Sequence, residues 1–306
     1  MTYAAIIPFF DYGQGNNHIL WKFFQLHCKK WIHLFDKVYV VDSGCNLHEL
    51  GVLPELQANP KLEIIKKPAQ SHWQNMNELI REAKEESILL LDSDTIIYDW
   101  EKLHSLIKFY EAGEYQAMGM FDGSGGVDMS QYPIMRENEY RFERRRFCPY
   151  FFLLQKKALR PDFDFTPRGG ENWTDSMGTV TEQMLEDKVR IFELPDDRST
   201  ISLEDTGDIT HVQWLDTPPK KWAMKENPDK GWYHVRNFGG ALKIIKDKEF
   251  GAVPGREARR LLAWAYAMAD KAEIPVAIFQ SVDVEVDVWN KYYEAFKEYH
   301  SFLNKI

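Results

Sequence analysis

The sequence predicts an α/β fold: a mixed, mainly parallel sheet flanked by helices, with a helical C-terminal annex. Three observations carry that expectation. Strand-like and helix-like segments alternate through the first hundred residues, the pattern of right-handed βαβ units. The run Ser87-Ile88-Leu89-Leu90-Leu91 is apolar after its first residue, as strands covered on both faces are. From Glu257 the spacing of Leu261, Leu262, Trp264, Ala265 and Met268 is that of a helical packing stripe.

Ala4 to Phe10 reads as the first strand, followed by a polar loop over Asp11 to Asn17. His18 to Phe35 puts Ile19, Leu20, Phe23, Phe24, Trp31, Leu34 and Phe35 on one broad face, which predicts a helix. Lys37 to Val41 is the second strand and runs into Asp42-Ser43-Gly44, and Leu62 to Ile65 is the third. Trp73, Met76, Leu79, Ile80 and Ala83 keep helical spacing and lead into the apolar strand. Beyond Ile97, Trp100 to Glu111 predicts a helix and Gln116 to Phe121 a strand, with Asp122 to Met129 a glycine-rich loop. Arg141 to Phe147 is a basic run and Tyr150 to Gln155 an aromatic strand. A helical stretch inside Gly169 to Asp187 precedes a strand over Arg190 to Leu194, and Pro195 to Gly239 is rich in turn formers.

The apolar strand ends in Asp92-Ser93-Asp94. Two carboxylates one residue apart suit a strand only at its carboxyl end, where open α/β sheets bind ligands. Desolvating them is unfavourable unless donors or a cation offset it, and hard divalent ions take oxygen ligands. The motif therefore reads as a metal-assisted site for a phosphorylated ligand, against the plainer reading of an acidic turn.

Composition narrows the partners. With 44% hydrophobic residues the chain can build a real core. A net charge of −9 speaks against nucleic acid, whose binders carry many cationic contacts to phosphate. It also speaks against a dedicated face for anionic lipid, leaving any peripheral membrane contact to a local basic patch. Cys28, Cys45 and Cys148 lack CxxC spacing and read as free thiols. Met1-Thr2-Tyr3 opens almost directly into a strand without a secretory leader's pattern, and no apolar run marks a transmembrane helix. The expectation is a soluble cytoplasmic protein.

Taken in order, these residues resemble the glycosyltransferases of GT-A type, a Rossmann-like fold, and within them the large family 2. The likeness covers roughly residues 4 to 240. Ile6-Ile7-Pro8-Phe9 stands where that family opens its first strand, and Val40-Val41-Asp42-Ser43-Gly44 resembles its second, whose aspartate contacts the nucleotide base. Asn77 falls where the family has an asparagine following an arginine, a position held here by Met76. Asp92-Ser93-Asp94 matches the DxD motif, which holds Mn²⁺ or Mg²⁺ against the donor's diphosphate. The resemblance thus implies Pro8, Asp42, Asn77, Asp92, Ser93 and Asp94 on the donor side.

Gly169-Gly170-Glu171-Asn172 is similar to a stretch near the acceptor in some members, while Trp173-Thr174-Asp175-Ser176-Met177-Gly178 resembles a variant in which an aspartate opens the next helix. The two overlap and nominate different bases, Asp175 and Glu171. Either His211 or His234 stands where several members add a histidine to the metal ligands Asp92 and Asp94. The rings of Trp173, Trp214 and Trp232 suit stacking on an acceptor sugar. The implied activity is metal-dependent, inverting transfer of a hexosyl group from a nucleoside-diphosphate sugar to a carbohydrate or other hydroxyl acceptor. The implied layout is a glycosyltransferase domain over residues 1–245 with a helical extension, 246–306, packed on it.

Each residue has a plainer role beside this one. Asp42 can simply end a strand with a turn, Asp175 can be a helix N-cap, and the arginines of the basic run can be a solvated face or a phosphate contact. Three rival functions are a haloacid-dehalogenase-like phosphatase, a sugar-nucleotide nucleotidyltransferase, and a degenerate domain that binds carbohydrate or a protein partner without turnover. The phosphatase motif opens its domain and has threonine or valine where Ile96 stands; the nucleotidyltransferase needs a basic residue that Asp11-Tyr12-Gly13-Gln14-Gly15-Asn16 lacks.

Overall fold

A strand with no polar side chain to keep wet can sit in the middle of a sheet. In the computed structural model β1 (Tyr3–Phe10) does so, with Ala4, Ala5, Ile6, Ile7 and Phe9 buried. The residues described are 1–10, 17–68, 72–93, 95–97, 100–113, 115–128, 144–169, 174–194, 200–201 and 232–235. They divide into two compact units. The first holds Met1–Asp11, Trp31–Ser93 and His104–Asp196, and the second Tyr12–Lys30, Asp94–Leu103 and Asp197–Ile306.

The first unit is built on a seven-stranded sheet. β1 pairs in parallel with β2 (Lys37–Ser43) on one side and β4 (Ser87–Leu90) on the other. β3 (Leu62–Lys67) extends the sheet beyond β2, again in parallel. Beyond β4 the direction reverses: β7 (Arg144–Gln155) runs antiparallel to β4, with Leu90 opposite Phe152. β6 (Ala117–Asp128) is antiparallel to β7, and β8 (Ile191–Glu193) closes the edge parallel to β6. The sheet is therefore mixed and mainly parallel, as the sequence predicts. Helix α3 (His72–Glu82) covers it with Met76, Leu79 and Ile80, and α5 (Ser176–Glu186) with Met177, Val180 and Met184. A single-turn helix, α2 (Pro54–Gln57), links β2 to β3.

The second unit contains α1 (Asn17–Trp31) and a three-stranded sheet in which β10 (Trp232–Val235) lies between β5 (Thr95–Ile97) and β9 (Thr200–Ile201). Helix α4 (Trp100–Ala112) begins in this unit and ends in the first. Among the described residues no helix is long and apolar enough to cross a membrane. The three cysteines are free and buried. The expected C-terminal annex and its boundary at residue 245 lie outside the described residues.

Two local expectations are corrected, and the basic run is given a structure. The helix predicted over His18 to Phe35 ends at Trp31, and a 3₁₀ turn, Ile32–Leu34, follows. The glycine-rich stretch from Asp122 belongs to β6: Asp122 pairs with Arg146 and Val127 with Arg145, so only residues 123–126 bulge out before pairing resumes. Composition marks the excursion but not the strand on its far side. The basic run is likewise strand, since Arg144 to Phe147 are the first residues of β7. At the earlier register shift, between Gly119 and Phe121, a Cβ on Gly119 would lie 3.0 Å from Phe147 Cδ1 and 3.1 Å from Phe151 O. Glycine there admits the close approach of β7.

Asp42 ends β2 and folds the turn after it. Its Oδ1 accepts from the backbone N–H of Cys45 (2.8 Å) and Asn46 (3.0 Å), and Oδ2 from that of Leu47 (2.8 Å). Gly44 and Asn46 take positive φ, 87° and 55°, the backbone these residue types adopt most readily. Replacing Asp42 by alanine leaves three N–H groups short of a partner. Urea unfolding should show Asp42→Ala destabilised by about 2–3 kcal/mol, and a loss under 0.5 kcal/mol would contradict this role.

In α1, burial holds the His27 imidazole down to about 3, with Lys30 pushing the same way and a hydrogen bond from the imidazole to the Ile97 backbone opposing. The folded chain then leaves neutral a group that the unfolded chain protonates below about 6.5. Stability contributed here is complete at neutral pH and is lost as pH falls below about 6.5, by about 1.4 kcal/mol per pH unit. Melting temperatures at pH 7 and pH 5 should therefore differ less in His27→Leu than in the wild type. An equal difference in both would show that His27 is not the group involved.

Candidate active site

The carboxyl ends of β1 and β4 meet the start of β7 and the N-terminus of α5 around one cavity of about 220 Å³. The β4–β1 ladder stops where Leu91 N–H donates to Ile6 O at 3.1 Å. Pro8 lies past that last bond, where the N–H it lacks is not needed on that side. Pro8, Leu90, Leu91 and Asp92 line the cavity from these strand ends, Met76 from α3, Arg146 and Pro149 from β7. Phe165, Asp175, Ser176 and Met177 complete the wall.

Asp175 is the N-cap of α5. Its backbone is extended (φ −77°, ψ −177°) and its Oδ1 accepts from Gly178 N–H at 2.8 Å, satisfying one of the donors that every helix start leaves open. Its Oδ2 lies 3.0 Å from Arg146 Nε. One residue along β7, Phe147 N–H donates to Thr181 Oγ1 at 2.9 Å, and that hydroxyl in turn donates to Met177 O at 2.7 Å. Strand and helix are thus joined at two points, one a buried hydrogen bond and one ionic at the cavity wall. A carboxylate held this way at a helix N-terminus is favoured in its charged form and can accept a proton from a hydroxyl brought against it.

The structure brings together Pro8, Asp92 and Asp175 of the residues singled out in the sequence. Asp92 is partly buried, and Ser93 follows it in a turn, also partly buried. Asp42 and Asn77 do not line the cavity. Asp42 holds its own turn, with room on Oδ2 for one further donor. Asn77 ties α3 to the segment behind the cavity: its Oδ1 accepts from Phe165 N–H at 2.8 Å and its Nδ2 donates to Asp164 Oδ1. Burial alone would push the Asp164 carboxyl up, but hydrogen bonds from Thr166 and Asn77 and the charge of Arg81 outweigh it and hold it below its usual range. Arg81 Nη2 also donates to Phe163 O at 2.7 Å. Phe165 is fixed as a wall of the cavity through these bonds.

Asp94, Glu171, Trp173, His211 and Trp214 lie outside the described residues. Trp232 and His234 are on β10, where the backbone register sets Trp232 opposite Ile97 and His234 opposite Thr95, the residue after Asp94. Among the described residues no three His, Cys, Asp or Glu side chains cluster as a metal site. Asp92 supplies the oxygen donor chemistry that Mn²⁺ and Mg²⁺ prefer, so the residue present fits such an ion. Sequence reasoning missed Arg146 as the partner of Asp175, and Phe165 and Pro149 as cavity walls. The antiparallel course of β7 brings Arg146 and Pro149 there, and the bond to Asn77 holds Phe165.

The sequence model of glycosyl transferase family 2 matches residues 5–165, more than half of the chain. No curated protein matches it. Among solved structures, the chain is similar to residues 1–349 of S. aureus TarS in complex with UDP, at 16% identity and TM-score 0.46, over 100% of this chain and 92% of that one. It is also similar to the mannosyltransferase PcManGT of Pyrobaculum calidifontis in complex with GDP-Man and Mn²⁺, at 13% identity and TM-score 0.43, over 96% and 83%. The family match spans β1 to β7 and the wall residue Phe165, so that the strand ends around Asp92 fall inside it: the chain belongs to glycosyl transferase family 2 and is a glycosyltransferase.

Proposed function

We propose that this enzyme moves a hexosyl group from a nucleoside-diphosphate sugar to a hydroxyl acceptor, with inversion, and that Asp175 is the base. The single observation that carries this reading is that Asp92, at the end of β4, and Asp175, at the N-cap of α5, line one cavity. Asp92 and Asp94 hold Mn²⁺ or Mg²⁺, and the register of His234 opposite Thr95 supports His234 over His211 as the imidazole ligand. When bound, the ion supplies Lewis-acid neutralisation of the leaving diphosphate. Pro8 and Ser93 shape the donor side. Asn77 acts there through Phe165, and Asp42 through the turn it holds, with its remaining acceptor position for the nucleotide base. Asp175 accepts the proton of the acceptor hydroxyl as that oxygen attacks the anomeric carbon. Trp173, Trp214 and Trp232 offer ring faces to the acceptor, and Glu171 is the alternative base.

Two experiments test this. In a thermal-shift series, UDP or GDP with Mn²⁺ should raise the melting temperature of the wild type, because a ligand that binds only the folded chain stabilises it. Asp92→Ala and Asp94→Ala should lose the metal-dependent part. Equal nucleotide affinity in wild type and Asp94→Ala with metal present, by calorimetry, removes the metal site from the proposal.

Asp175→Asn keeps a good N-cap but loses the charge facing Arg146, so it should lower stability somewhat and leave nucleotide affinity near that of the wild type, while kcat falls by about 10²–10⁴. If Asp175→Asn turns over normally and Glu171→Gln is inactive, the base is Glu171. Full activity in both variants rules out a base from this segment.

A further inference from the structure

Arg146 is the one basic side chain among the described residues that lines the cavity, and it lies against the carboxylate read above as the base. Its Nε is 3.0 Å from Asp175 Oδ2, and the two side chains are 13% and 31% exposed. An ion pair this enclosed is screened less than an exposed one. Its geometry is not left to chance, because the next residue of β7 is hydrogen-bonded to α5 through Thr181. Oδ1 takes the Gly178 N–H and Oδ2 faces the guanidinium, so neither oxygen can rotate away without losing a donor.

Other charged groups stand around it among the described residues. Asp92 shares the cavity, and Asp122 of β6 stands opposite Arg146 in the strand register. Arg168, bridged through its backbone to Thr174, is paired with Glu182 of α5 itself. Arg146 is in ion-pair contact with Asp175.

We propose that Arg146 is the positioning residue for Asp175, holding that carboxylate ionised and in one orientation at the cavity wall, and is not itself a ligand of the donor's diphosphate. The proposal rests on the reading of Asp175 as the base. Removing the cation lets the carboxylate take a proton at higher pH, so the base is lost at higher pH and the acid limb of kcat moves up. Lysine keeps the charge but not the planar Nε contact, and restores part of the effect.

The test uses the full chain with aspartate labelled at its carboxyl carbon, the Asp175 signal being identified by its absence in Asp175→Asn. The Asp175 titration midpoint, followed by carbon NMR without any substrate, should rise by about one pH unit or more in Arg146→Gln, with Arg146→Lys in between. With UDP-N-acetylglucosamine and GDP-mannose as donor probes and Mn²⁺ present, Arg146→Gln should lose about tenfold or more in kcat at neutral pH. Its donor KM should stay within about twofold, and its acid limb should move by the same interval as the NMR midpoint. An unchanged midpoint in both variants overturns the proposal, whether or not either probe is turned over. So does a raised donor KM with unchanged kcat, which assigns Arg146 to the donor. Normal turnover by Asp175→Asn fails the base reading instead, and reduces the ion pair to a structural tie.

Discussion

The antiparallel pairing of β7 with β4 is the constraint on which the site depends. In a sheet that stayed parallel past β4, the next strand would bring its own carboxyl end to the side where Asp92 lies. Reversal brings the amino-terminal part of β7 there instead, with Leu90 opposite Phe152 and the chain running back towards Pro149 and Arg146. The same reversal lets α5 cover the sheet beside β7, so that a helix N-terminus and a strand start meet at one place. Two ties hold that meeting: the Arg146–Asp175 pair and the Phe147–Thr181 hydrogen bond.

Electrostatics then favours one protonation state at the cavity wall. A helix N-terminus stabilises an anion by roughly 0.3–1 kcal/mol, and a hydrogen bond to a charged group by about 1.5–3 kcal/mol. Asp175 receives both kinds of contact in addition to the facing guanidinium. A carboxylate so surrounded is a rigid, charged acceptor and not a mobile surface acid. The sequence reading offered helix cap and catalytic base as competing roles for Asp175. In the structure the cap is what fixes the carboxylate at the cavity, so the cap does not compete with the proposed role as base.

The polar residues behind the cavity work in a different way. Asp42 organises the turn after β2, Ser43 accepts from Asn75 of α3 at 2.5 Å, and Asn77 holds Phe165. Each satisfies buried backbone or side-chain groups that would otherwise be left without water or partner, a loss of about 1–3 kcal/mol apiece. They shape two surfaces: a turn at the end of β2 and an aromatic wall of the cavity.

The parallel half of the sheet, the apolar runs that form its strands and the placement of Asp92 at a strand end were all legible from the sequence. Burial on both faces leaves a continuous apolar run, and a carboxylate just past such a run is tolerated only where the sheet opens. The N-cap at Asp175 was legible too, because capping is set by residues three apart in the chain. What residues 122–147 do was not. Glycines in succession look like a loop whether or not the strand resumes beyond them, and Arg144 to Phe147 look like a charged surface until β6 pairs with them. The partner of Asp175 lies 29 positions away in sequence and meets it only through the register of β7 and the packing of α5. Local chemistry therefore determined which groups could be charged and where the strands run. Which charges face each other was decided by long-range pairing, because no periodicity within one segment encodes the direction of the strand beside it.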